Sequence, residues 1–149
     1  MVFTVDSFEA KDLLDVMQLA SRVLPERYPY EFFLQMARAQ GQYFRVAREQ
    51  ETGRIAGFIV AAKQPGLQGR VLVFGVDPAL QGRGLGRLLL RDIQRSLTLE
   101  DVRSLQLEVR PDNRRAISFY QHEGFAVTGL QERAYKDGSD ALWMAKALF

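Results

Sequence analysis

Apolar residues along the chain recur with a period that switches between two and about 3.6, and the switches mark out a succession of strands and helices. Residues 2–5 alternate and predict a strand, after which Glu9, Leu13, Leu14, Met17 and Leu19 fall at helical spacing with Ser7 placed to start the helix. Pro25 and Pro29 interrupt that run, because proline lacks the amide donor and clashes with the preceding turn; Phe32, Phe33 and Met36 then restore the helical period over residues 31–39. Two β-rich runs, residues 42–48 and 54–62, flank Glu51-Thr52-Gly53 as a hairpin would, and residues 70–76 form a further strand. Beyond Asp77-Pro78 comes a glycine-rich stretch, Gln81-Gly82-Arg83-Gly84-Leu85-Gly86-Arg87, and then a helical run through Leu88, Leu89, Leu90, Ile93 and Leu97. Residues 105–109 read as a strand, 113–122 as a helix, and 124–127 and 141–148 as two last strands. The order β-α-α-β-β-β-α-β-α-β-β is that of an α/β protein with a mixed sheet covered by helices.

Composition narrows the chemistry. A chain of 149 residues, 47% hydrophobic and 26% charged, has the size and balance of one globular domain, residues 1–149, without disulfide or metal support. It has no cysteine, which removes thiol nucleophiles, redox pairs and Cys-based zinc sites. The single histidine, His122, argues against metal hydrolysis and against a Ser-His-Asp triad, so no metal is expected. No apolar run approaches the roughly 20 residues of a membrane span, and a cytoplasmic protein without membrane contact is expected. The formal charge is +2, carried mostly by arginine, with Lys11, Lys63, Lys136 and Lys146 the only lysines. Arginine's planar fork suits phosphate and carboxylate, but the arginines alternate with acids and form no basic run, so direct nucleic-acid binding is not expected.

The glycine-rich stretch is the first candidate for a ligand site. The leading amides of a helix have no partner within it, and glycines there let phosphate oxygens approach the backbone. Gly82, Gly84 and Gly86 supply that access, Arg83 and Arg87 could add charge from the side, and the alternative is a tight strand-to-helix turn. Neither a dinucleotide fingerprint nor a phosphate loop ending in Gly-Lys-Ser/Thr is present.

Gln81-x-x-Gly84-x-Gly86 after a strand ending Val73-Phe74-Gly75-Val76 resembles the acetyl-CoA pyrophosphate loop of the GNAT superfamily of N-acetyltransferases. Leu107-Glu108-Val109-Arg110-Pro111-Asp112-Asn113, followed by Ala116, Tyr120 and Gly124-Phe125, is similar to that superfamily's second block as it occurs in ribosomal-protein-alanine N-acetyltransferases. Leu24-Pro25-Glu26-Arg27-Tyr28 resembles the substrate loop of archaeal and NatA-type N-terminal acetyltransferases, and residues 135–141 resemble their late hairpin. The resemblance implies a GNAT fold of about seven strands and four helices, with acetyl-CoA as co-substrate. It implies cofactor contacts from Phe74, Gly75, Val76, Gln81, Gly82, Arg83, Gly84, Leu85, Gly86, Arg87, Asn113 and Tyr120, and acceptor contacts from Leu24, Pro25, Glu26, Tyr28 and Tyr135. Gly75 within a strand suits a bulge or a close ligand approach, and Asn113 suits either cofactor contact or capping of the next helix.

Acetyl transfer to an amine needs a neutral nitrogen and stabilisation of the departing sulfur. By the resemblance, Glu108 is the general base, Glu26 a second base or a substrate-ordering residue, and Tyr120 faces the sulfur. The plainer readings are surface carboxylates paired with arginine, and a core tyrosine. At pH 7 deprotonation costs roughly 1 kcal/mol for an α-amino group and roughly 4.6 kcal/mol for a lysine, so a carboxylate acting through water suffices for the former. Three positions depart from the pattern: Arg70 stands where some N-terminal acetyltransferases carry a histidine base, Ala134 where a first tyrosine holds the substrate backbone, and Ser139 where a glutamate is usual. The expected acceptor is the α-amine of a protein N-terminus; a small-molecule amine or a lysine is the alternative, and a CoA- or protein-binding module without turnover is the non-enzymatic one.

Overall fold

Where each residue's amide and carbonyl find partners follows the predicted order closely. The structure is a computed structural model, and it describes residues 2–39 and 41–149. Its strands are β1 (Phe3–Ser7), β2 (Phe44–Glu49), β3 (Ile55–Gln64), β4 (Gln68–Val76), β5 (Ser104–Val109), β6 (Ala126–Gln131) and β7 (Ala141–Ala147). Its α-helices are α1 (Leu13–Val23), α2 (Tyr30–Ala39), α3 (Leu85–Leu99) and α4 (Arg114–His122). The strands form one seven-stranded mixed sheet in the order β1-β2-β3-β4-β5-β7-β6, the expected α/β architecture.

The first helix starts later than Ser7 predicts. Ser7 closes β1 opposite Arg45, and the helical stretch opens with a 3-10 turn at Ala10–Asp12. Asp12 is buried, accepts the Glu9 amide at 2.9 Å and takes both carboxylate oxygens to Arg48 at 3.0 Å. This carboxylate fixes the start of the helix by reciprocal capping with Glu9. Leu24 ends α1 in an extended conformation, the region imposed on a residue that precedes proline.

By contacts the chain divides into two compact units: residues up to Ala62 with Leu72–Ser96, and Lys63–Val71 with Leu97–Phe149. In the first, Leu13, Val16, Leu19 and Ala20 of α1 and Phe33 of α2 join Phe44, Val46, Phe58, Val60 and Val73 in one buried cluster. Each large apolar side chain so buried contributes about 1.5–3 kcal/mol, which is why the helices hold to the strands. In the second unit, Leu105, Leu107 and Val109 are buried while Ser104, Gln106 and Glu108, alternating with them, stay half exposed. Period-two alternation thus delivers the polar face of β5 to its neighbours.

Candidate functional site

The first unit holds the glycine loop. β4 ends at Val76, Asp77 caps a 3-10 turn over Pro78–Leu80, and α3 begins at Leu85. Gly82 and Gly84 have φ of +86° and +79°, the left-handed region that side chains resist, and no atom lies within 4 Å of a Cβ built on either. Backbone conformation, rather than crowding, requires glycine at these two places. Gln81, Gly82, Arg83 and Gly84 are exposed, and Gly86 and Arg87 lie in the first turn of α3. Leu85 differs from them, since its side chain is buried in the core and only its backbone belongs to the loop. The first intrahelical bond runs from the Leu88 amide to the Gly84 carbonyl at 3.0 Å, so the amides ahead of Leu88 precede the helical ladder. An exposed backbone at the positive end of a fifteen-residue helix fits a pyrophosphate.

Asp77, which enters no expected site, anchors this loop. It is 1% exposed; its carboxylate accepts the Ala79 amide at 3.0 Å and the Arg54 guanidinium, and Arg22 stands 3.6 Å away. Burial alone would raise its pKa, but the Ala79 hydrogen bond and the two guanidiniums outweigh burial and hold it below the ordinary value. The Asp77 amide also donates to the Ala56 carbonyl at 2.8 Å.

Of the strand before the loop, Phe74 and Val76 are half-buried and Gly75 is buried. A Cβ on Gly75 would sit 2.7 Å from Val23 and 3.2 Å from Phe58, and its φ is not in the left-handed region. Close packing of α1 and β3 therefore explains this glycine. The parallel β4–β5 register is made by Gln68–Arg70 with Ser104–Gln106, and Phe74–Val76 lie beyond it. In the loop after α1, Leu24 and Tyr28 pack on the apolar cluster, Tyr28 meeting the Phe32 ring at 4.5 Å, while Pro25 is exposed and Glu26 half-buried.

The second unit carries the other candidates. Glu108 is half-buried on β5 and accepts Arg70 Nη2 at 3.1 Å through Oε1. Arg70 stacks over Trp143 of β7, 4.9 Å from the ring centroid, and Trp143 is the register partner of Glu108. Arg70 thus holds the Glu108 carboxylate by an ion pair and a hydrogen bond. Tyr120, on α4, lies edge-on to Phe119 and Phe125 with centroids 5.4 Å and 5.7 Å away, and burial of its hydroxyl raises its pKa well above the ordinary value. Asn113 caps α4, its side-chain oxygen accepting the Ala116 amide at 3.2 Å. Tyr135 lies in the loop before β7, its ring under the Arg110 guanidinium at 4.2 Å. His122 directs Nδ1 to the Ser118 carbonyl on the exposed side of α4. Arg70 and Trp143 entered no expected site; the parallel β4–β5 pairing brings Arg70 to Glu108 and the β5–β7 register brings Trp143, and neither shows in a one-dimensional pattern.

Among the described residues no helix is long and apolar enough to cross a membrane. The chain is similar to several known proteins. The N-alpha-acetyltransferase RimI of Mycobacterium tuberculosis is 40% identical over 94 residues, covering 61% of this chain and 56% of its own length. An N-alpha-acetyltransferase of Sulfolobus acidocaldarius is 28% identical over 149 aligned residues, covering 92% of this chain and 88% of its own. The crystal structure of Ard1 from Thermoplasma volcanium superposes with a TM-score of 0.94 at 31% identity, over 100% of this chain and 99% of that one. The sequence profile of the acetyltransferase (GNAT) family matches residues 11–125, from the start of the first helix through the glycine loop to the turn after α4. With its seven-stranded sheet and its glycine loop at the head of α3, the chain therefore belongs to the acetyltransferase (GNAT) family, whose members are acetyl-CoA-dependent N-acetyltransferases.

Proposed function

We propose that the acceptor is the α-amino group of a polypeptide N-terminus. The observation that carries this reading is the alignment, over 92% and 98% of this chain, with relatives named N-alpha-acetyltransferase, joined by the end-to-end likeness to Ard1. The residues agree with it. Acetyl-CoA supplies an activated acetyl group, and no enzyme nucleophile is needed for its direct transfer to an amine. Gly82, Gly84 and the leading amides of α3 hold the pyrophosphate, with Arg83 and Arg87 adding charge; the backbone of Phe74–Val76 pairs with the pantetheine arm, and Asn113 touches the cofactor beside its capping role.

Glu108 takes the proton of the attacking amine through water. Because Arg70 engages Oε1, the carboxylate is fixed in orientation, and an α-amine of pKa about 7.8 asks far less of a base than a lysine of about 10.4. Tyr120 donates a hydrogen bond to the departing sulfur. Its raised pKa makes complete proton transfer to a thiolate of pKa about 8.5 uphill, so the phenol acts as a donor that keeps its proton. Leu24, Pro25, Glu26, Tyr28 and Tyr135 contact the acceptor, with Glu26 ordering it.

The test is a set of peptides that each carry a free N-terminus and one internal lysine, incubated with acetyl-CoA and read by mass spectrometry. The acetyl group is expected on the α-amine. Modification of the lysine alone, or turnover only with small amines, would overturn the assignment.

A further inference from the structure

The loop of residues 132–140 between β6 and β7 is mostly exposed, and Arg110 ties it to the end of β5. Arg110 Nη1 donates to Asp137 Oδ2 at 2.9 Å and to Ser139 Oγ at 2.5 Å, and the same guanidinium lies over the Tyr135 ring at 4.2 Å. Ser139 in turn donates through its hydroxyl and its amide to Asp137 Oδ1, while the Tyr135 amide donates to the Ser139 carbonyl at 3.1 Å. Arg110 is itself held rigidly. It follows the last residue of β5, precedes Pro111, and its carbonyl accepts the Asn113 amide at 3.0 Å in the turn that caps α4.

We propose that Arg110 is a positioning residue for acceptor recognition: it clasps Asp137 and Ser139 so that Tyr135 is presented to the acceptor in one fixed orientation. The proposal rests on the reading of Tyr135 as an acceptor contact. It also accounts for Ser139, whose hydroxyl bridges Arg110 and Asp137 where relatives of the pattern carry a glutamate. A guanidinium suits this role because Nη1 serves both oxygens while the flat face of the same group stacks on a ring, which a compact ammonium does not do. Ser139 and Arg110 also hold the Asp137 carboxyl down to about 2, so the clasp stays charged throughout the neutral range.

The experiment compares R110Q, R110K, D137N and the R110Q/D137N double variant of the full chain. R110Q and D137N are each expected to raise KM for a peptide acceptor about five- to tenfold, with KM for acetyl-CoA within about twofold of wild type, R110K falling between. The double variant is expected to match the worse single variant, since partners in one interaction are not additive. Amide hydrogen exchange at residues 133–139 should rise in R110Q irrespective of activity. Additive effects, unchanged loop exchange, or faster exchange with an unchanged acceptor KM would each overturn the proposal. Failure of the underlying reading is separately visible: Y135A would then leave the acceptor KM at the wild-type value.

Discussion

At the scale of single residues, the two groups assigned to proton handling differ in what surrounds them, and the difference sets what each substitution should do. Tyr120→Phe keeps the ring contacts with Phe119 and Phe125 and removes only the hydroxyl. Turnover should fall about ten- to a hundredfold, the scale of one lost transition-state hydrogen bond, with little change in Tm. Retained activity with a lowered Tm would mean that the hydroxyl serves the fold. Glu108→Gln removes the carboxylate that Arg70 holds, and its defect should depend on how many acceptor amines are already neutral. The loss in kcat/KM is expected to be largest below the α-amine pKa of about 7.8 and to shrink toward pH 9, as a pH profile with a peptide acceptor will show. A defect constant across that range would make Glu108 an orienting group.

At the scale of elements, three glycines near the cofactor loop have two different physical reasons, and substitutions separate them. Gly84 has φ +79° in open space at the head of α3, so Gly84→Val forces a resisted backbone conformation and places a branched side chain where phosphate would lie. Acetyl-CoA affinity, measured by calorimetry on the folded variant, should drop strongly, and unchanged affinity would remove the loop from the site. Gly82 shares that reason. Gly75 does not, because its missing Cβ is replaced by Val23 and Phe58. Gly75→Ala should cost about 1–3 kcal/mol of stability through overpacking, read as a lower denaturation midpoint. Loss of acetyl-CoA affinity without loss of stability at Gly75 would show that a ligand, and not the core, demands the glycine.

At the scale of the whole chain, resistance to acid should be governed by carboxylates whose charge the fold stabilises. Asp77 is the clearest, being buried yet held below its ordinary value by the Ala79 amide and by Arg22 and Arg54. A group with a depressed folded pKa contributes stability above its unfolded value of about 3.9 and loses that contribution as pH falls below it. Asp77→Asn should therefore lower Tm at pH 7 by about 3–9 °C, corresponding to ~1–3 kcal/mol for a buried group deprived of a partner. The deficit relative to wild type should narrow as pH falls below about 4, where the aspartate of the unfolded chain binds a proton that the native one resists. An equal deficit at pH 7 and pH 3 would show that shape and not charge ties the loop.

The alternation of apolar and polar positions was sufficient for the order of strands and helices, because periods of two and 3.6 are set by local backbone geometry. Gly82 and Gly84 stand out in the sequence as glycines ahead of a helix, and the fold gives both the left-handed conformation that glycine adopts without strain. Element ends were less legible: Asp12 moved the start of the first helix by capping Glu9 and pairing with Arg48, a partner 36 positions away. Gly75 suits a bulge or a close ligand approach by sequence, and that Val23 and Phe58 also converge on it is visible only in the fold. What only the tertiary structure decided is which charges meet. Arg70 finds Glu108 across 38 positions, Arg110 finds Asp137 across 27, and Arg22 and Arg54 both find Asp77. Local pattern carries no information on such pairs, because strand register and the path of the loops select the partner for each charge, and an unpartnered alternative in the interior would cost more than it returns.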